Sequence, residues 1–410
     1  IKIRYSWGQS GNAPSGTSPY IGTFEAVTPG YGDMNAVKPA SPDLTHLKYE
    51  TITSNNIGVD FGLFSDKVNF TFELYKKVTD DLLQKKMKVP SSTGLSTVAW
   101  YNSGKIQNKG WEFNIDIAAV KTKDWSFNFG FNISQNKNEI LELPENKNDE
   151  LYTFGNKNYA YSVMMGDPLG SFYGYRYKGV YQNVEETYAV NTSGQRILDI
   201  DGNPVVMKNG DQKVYPGDAR YEDVNGDGVI DENDIVYLGN SNPTLTGGLN
   251  FTLRYKKVSL VAAFHGRAGQ KVINQARMDM ENMRGKNNQS VAVLRRWRSE
   301  GDDTDIPRAL YDKGYNYLGS DRFVEDASFL RLKTVTLKYQ MPAKWMKAIG
   351  VNKLELYATG YDMFVWTKYK GQDPEVNLKA ANDGTVAQVA IDSNNTPKPF
   401  KIAFGLNLNF

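Results

Sequence analysis

The chain predicts an all-β protein whose strands form a membrane-spanning wall. Three observations carry this. Apolar and polar residues alternate with period two in about ten segments. No apolar run approaches the roughly 18 residues that a membrane helix needs. Tight turns alternate with long loops, the wiring of a membrane barrel. A soluble β-sandwich stays open as the alternative, since it also has long loops, but it seldom sorts them by parity.

The segments follow in order. Ile1, Ile3, Tyr5 and Trp7 alternate with Lys2, Arg4, Ser6 and Gly8. A chain that opens inside an amphipathic strand is expected to continue upstream. Ile57, Val59, Phe61 and Leu63 share a face, and after a turn at Ser65-Asp66 come Val68, Phe70, Phe72 and Leu74. Trp111, Phe113, Ile115 and Ile117 turn at 121–123 into Trp125, Phe127, Phe129, Phe131 and Ile133. Leu245, Leu249, Phe251 and Leu253 turn at Lys256-Lys257 into Val258, Leu260, Ala262 and Phe264. Leu330 and Leu332 lie in one phase and Val335, Leu337 and Tyr339 in the other, which predicts a β-bulge near Lys333-Thr334. Leu354, Leu356 and Ala358 precede a terminal strand, in which Phe400, Ile402, Phe404, Leu406, Leu408 and Phe410 alternate with small or polar residues.

Long loops are expected over 10–48, 79–107, 136–243, 267–326 and 367–398, with a modest connection at 342–352. In the fourth, Gln270–Met283 and Ser290–Arg298 read as two helices. On a barrel, Phe127, Phe129, Phe251, Leu253, Phe404 and Leu406 would face lipid. Asn128, Thr252 and Asn407 would face a wet lumen, with Lys2, Arg4, Glu112, Asp116 and Arg254.

Composition narrows the function. Lys and Arg number 48 against 46 Asp and Glu, so bulk charge does not favour a nucleic-acid partner. There is no cysteine, which excludes disulfides and thiol chemistry. The two histidines, His46 and His265, exclude an imidazole-rich metal site, and neither has a nucleophile motif nearby. The sequence therefore gives no catalytic constellation, and a non-enzyme is expected. Aromatics at 12% and 37 glycines suit a β-rich chain with many turns.

The sharpest local motif runs from Asp223 to Asp234. A hard cation takes six or seven oxygens, and a twelve-residue loop can supply them from positions one, three, five, seven, nine and twelve. Here these are Asp223, Asn225, Asp227, the Val229 carbonyl, Asp231 and Asp234, with Gly228 at the sharp turn. Asp rather than Glu at position twelve shortens the last arm. Calcium is the expected ion, and an Asx-rich turn without metal is the alternative. The ribbon Phe172–Tyr177 and Trp297 are the other conspicuous features. Tyr173, Tyr175, Tyr177 and Trp297 are candidate anchors for a partner, or else packing residues inside the loops.

Several stretches together resemble one family. Lys2–Asn12, Tyr75–Lys77 with Asp80–Leu83, and Asn102–Gly110 ahead of Trp111-Glu112 are similar to SusC/RagA-type TonB-dependent outer-membrane transporters. So are Gly170–Tyr175 followed by Gly217-Asp218 and the acidic loop, Phe329–Leu337, and Tyr369–Glu375. The resemblance covers this chain and about the C-terminal half of a family member. It implies a share of a barrel of about 22 strands, with the N-terminal strands and plug lying outside this chain. It further implies a Gram-negative outer membrane and import of a glycan or peptide oligomer; the alternatives are a complete small barrel acting as adhesin or passive pore, or a secreted calcium-stabilised β-protein that binds carbohydrate. Energy would come from TonB through the N-terminal region, and a SusD-like surface lipoprotein would meet loops 136–243 and 267–326.

Overall fold

The computed structural model describes every residue except 17, 29–33, 96, 144–151, 154–158, 162–163, 312–313, 349, 381–387, 395 and 410. The expected aromatic terminus Phe410 therefore lies outside the described residues.

Ten strands form one antiparallel sheet in strict sequence order. They are β1 Lys2–Asn12, β2 Glu50–Leu63, β3 Val68–Asp80, β4 Lys105–Lys121 and β5 Trp125–Glu142. Then come β6 Leu245–Tyr255, β7 Val258–Ala268, β8 Phe329–Gln340, β9 Lys353–Thr367 and β10 Lys401–Asn409. Every neighbour in the sheet is also a neighbour in sequence, so one up-and-down meander makes the whole wall. The expected tight turns close β2–β3, β4–β5 and β6–β7. At the first, Phe64, Ser65 and Asp66 all take positive φ, and Lys256 does so at the third.

The period-two pattern becomes two faces through the register. One row runs Ile117, Phe129, Phe251, Ala262, Val335 and Gly360. The next on that face runs Val120, Phe127, Leu253, Leu260, Leu337, Ala358 and Phe404. Between them lies a polar row of the opposite face: Ala118, Asn128, Thr252, Val261, Thr336, Thr359 and Ala403. The apolar face is bare. Phe404 is 82% exposed, so among the described residues no second sheet packs over that strand. Aromatics bound this face at both ends. Trp125 and Tyr255 meet at 4.3 Å beside the short turns, and Phe264 and Trp366 stack at 6.3 Å toward the long loops.

The bulge expected at Lys333 is present, because β8 slips register there against both neighbours. β9 answers with its own irregularity: Asp362 takes φ +50° and pairs with Lys333 Nζ at 3.0 Å. The wet face carries charge. Arg4 grips Asp60 through two hydrogen bonds of 2.9 Å and Glu73 at 2.6 Å. It does so across Gly58, where a Cβ would lie 3.0 Å from the guanidinium.

Three expectations need correction. β5 continues to Glu142, so the longest loop begins near 143 rather than 136. Gln270–Met283 is not one helix: Lys271–Ile273 is a strand paired with Val324–Asp326, and α1 covers only Gln275–Glu281, capped by the Asn274 side chain. Ser290–Arg298 gives only a 3₁₀ turn, Val291–Arg295. Its helix stops because Arg296 turns extended and Trp297 N–H bonds the Ile306 carbonyl instead. Tertiary pairing overrides local propensity in both places.

If the bare face meets lipid, Phe404→Arg will cost about 2–4 kcal/mol and Asn407→Arg far less. Reversible unfolding in detergent or bilayer measures both. Equal costs would contradict the assignment of faces.

Candidate functional site

The largest buried cores of this chain lie outside the wall, in the loops. The strand Ser171–Gly174 pairs with Val236–Asn240, which closes the stretch 175–235 of loop 143–244 at its base. Phe172 then packs with Tyr159, Ile273, Met278, Phe323 and Val389 in one core. Tyr175, Tyr181, Met207, Val214, Tyr221, Ile230 and Leu318 form a second. Both cores draw residues from more than one loop, so the loops fold as one cap.

The candidate anchors sit inside this cap. Tyr173 is 3% exposed and donates its hydroxyl to Asp167 at 2.7 Å. Tyr175 is 9% exposed, and burial pushes its hydroxyl up to about 12. Tyr177 is partly buried and donates to the Asp305 carbonyl at 2.5 Å. Trp297 lies against Gly217, where a Cβ would run into the indole. Tyr173 and Tyr175 thus pack the loops together and offer no surface to a partner, and Tyr177 and Trp297 join the same packing. The spacing of aromatics could not show this, because Tyr175 packs on Tyr221 and Leu318 and Tyr177 bonds Asp305, all far along the chain.

The residue that closes the cap was not among the sequence candidates. Asp218, buried, accepts from Arg308 Nε at 2.7 Å and Arg308 Nη2 at 3.2 Å. Asn316 adds a third donor at 3.3 Å and accepts the Ala219 N–H. Gly217, with φ +87°, lets its carbonyl accept from Arg308 N–H. The only sequence signal was Gly217-Asp218 itself.

A second link joins the stretches Phe329–Leu337 and Tyr369–Glu375, which are separate signatures along the chain. Arg331, 3% exposed on the wet face of β8, pairs with Asp373 at 2.6 Å and Glu375 at 3.4 Å. Lys398 also binds Glu375. The chain after β9 is thereby tied down onto the wall.

The acidic loop folds as a compact Asx turn. Asp223 accepts the N–H groups of Gly226 at 2.7 Å and Gly228 at 2.8 Å. Asp227 accepts the Val229 N–H at 2.8 Å and the Asn225 side-chain amide at 2.8 Å. Asp231 and Asp234 form a capping box, and Asp234 takes the N–H groups of Val224 and Asp231. Burial raises the Asp234 carboxyl against the pull of those amides. The six candidate ligands thus share one turn, with oxygen donors of the type a hard cation takes. In the arrangement seen, backbone amides occupy the carboxylates. Among the described residues no three acidic or imidazole groups lie close enough to hold a metal ion. A cation would have to replace the bond between Asn225 and Asp227.

Comparison with known proteins fits this geometry. A model of the TonB dependent receptor-like β-barrel matches residues 1–226, more than half of the chain. The chain belongs to that family. TonB-dependent receptor P26 of Formosa agariphila is 32% identical over the whole chain, which covers 40% of that relative. TonB-dependent receptor SusC of Bacteroides thetaiotaomicron is 27% identical, again over the whole chain and 37% of the relative. The RagAB peptide transporter structure matches with a TM-score of 0.73 at 23% identity, covering all of this chain and 40% of that one. That likeness concerns the fold. The chain spans about two fifths of the length of its relatives, as expected for a C-terminal share of the barrel.

Asp218→Ala will loosen the cap by about 2–3 kcal/mol, because Arg308 and Asn316 lose a charged acceptor. Native-state proteolysis within 143–244 should accelerate while the wall resists unchanged. Unchanged cleavage would show that the pair does not hold the loops.

Proposed function

We propose that this chain is the C-terminal wall and loop cap of an outer-membrane importer in a Gram-negative bacterium. It takes up an oligomeric nutrient, peptide or glycan, with energy from TonB acting on the N-terminal part of the same protein. A SusD-like surface lipoprotein works with it on the long-loop side. The observation that carries this reading is the family match on a ten-stranded wall with one bare, aromatic-bounded face. Charged pairs on the other face, such as Arg4 with Asp60, suit a wet interior. The relatives bear the names of receptors and transporters, which supports a role without catalysis.

Uptake of labelled peptide and glycan oligomers should be lost both on deletion of the gene and on loss of TonB. Uptake that persists without TonB would favour a passive pore. Sidedness has its own test. A cysteine at Asn203 should react with an impermeant reagent on intact cells, and one at Lys256 only after the periplasm is opened. The reverse result inverts the orientation.

We also infer that the acidic loop takes calcium through Asp223, Asn225, Asp227, the Val229 carbonyl, Asp231 and Asp234. The support is the ligand spacing and the buried Asp234, whose charge lacks a cationic partner among its hydrogen bonds. Calcium would fix a long loop, with stabilisation set by its concentration relative to Kd. Protease resistance of 188–236 should rise on calcium addition and fall with chelator. Indifference to both would leave the turn metal-free.

A further inference from the structure

On the bare face, just toward the long loops from the apolar rows, three lysines stand side by side. Lys76 on β3 lies opposite Lys109 on β4, which lies opposite Lys137 on β5. All three are exposed. Like charges placed directly opposite in a sheet repel. One acid answers them: Glu139, at 3.8 Å from Lys109 and 3.5 Å from Lys137. Lys76 has no acidic partner among the described residues. The cluster thus carries an uncompensated positive charge on a surface that meets lipid.

The next row toward the short turns is apolar. Ile57, Leu74 and Trp111 lie side by side, with the Trp111 indole fixed by Gln135 at 2.6 Å. Together with the three lysines they line a groove of about 520 Å³ on the outer wall. Its floor is continuous with the apolar face, and its rim is cationic. From Trp111 to the turn at the end of β4 is about eleven residues. With strand tilt that spans roughly 25–30 Å, the height of a barrel's apolar band. The lysines therefore sit at headgroup level and the groove at the level of acyl chains.

We propose that this groove binds a phosphate-bearing glycolipid of the outer leaflet, its phosphate on Lys76, Lys109 and Lys137 and an acyl chain over Leu74 and Trp111. Free phosphate would leave the apolar floor unused, and an acidic protein would have to enter the bilayer to reach it. Charge complementarity and depth together select the lipid. This inference rests on the membrane orientation proposed above.

The test uses the full-length protein that carries this chain, purified in detergent, with monophosphoryl lipid A and its dephosphorylated form as probes. Native mass spectrometry reads the bound lipid. Wild type should retain the phosphorylated probe, and the triple variant K76Q/K109Q/K137Q should retain it roughly tenfold less or worse. Lys256→Gln with Lys257→Gln, at the opposite end of the wall, should behave as wild type. Equal retention by the triple variant and wild type overturns the inference, as does an equal loss in the distal control or indifference to the phosphate. The Asn203 labelling test separates the two readings. Wrong sidedness there refutes the orientation, whereas unchanged retention in a correctly oriented protein refutes the lipid site alone.

Discussion

A wall that stands in an apolar medium must pair its own backbone, because no water is present to bond a stray N–H or C=O. That constraint orders the rest of this molecule. It selects an unbroken antiparallel ladder from β1 to β10, with each strand bonded to the next in sequence. Where the register slips at Lys333, the slip in β8 is matched by one in β9 and closed by the ion pair with Asp362. It also leaves one row of unpaired groups on each of β1 and β10, which pair on one side only among the described residues. A relative is about two and a half times as long as this chain, so in it further chain is available to pair with them.

The wall was legible because its code is local. Period two fixes the face of each residue without knowledge of any partner, and a phase change such as Leu332 to Val335 marks a bulge directly. The tight turns were legible for the same reason. The cap was not. Whether Tyr175 faces water or a core depends on Leu318 and Tyr221, and nothing near Tyr175 in sequence announces them. The helices failed for a related reason: Trp297 leaves its turn to meet Ile306, a bond that propensity does not see. The acidic loop lies between these cases. Spacing picks out the six residues, and the Asx turn they form is present.

The wet face is held by a different economy from the bare one. Arg4, Asp60 and Glu73 share one charge network on neighbouring strands, and Arg331 gathers Asp373 and Glu375 from the segment after β9. Exposed ion pairs of the first kind add little stability. Arg331 is nearly buried, so removing both acids would strand its charge. This explains why two signatures more than forty residues apart occur together: one supplies the cation and the other its acids.

The cap has a consequence for how the protein comes to be. Asp218 and Arg308 belong to different hairpins, and β6 and β7 lie between them in the chain. Neither half can mature when its own strands are in place. Each loop leaves its side of the contact uncovered until both stand above the same wall. Closure of the cap is therefore coupled to the pairing of four successive strands, β5 to β8, and not to any one hairpin.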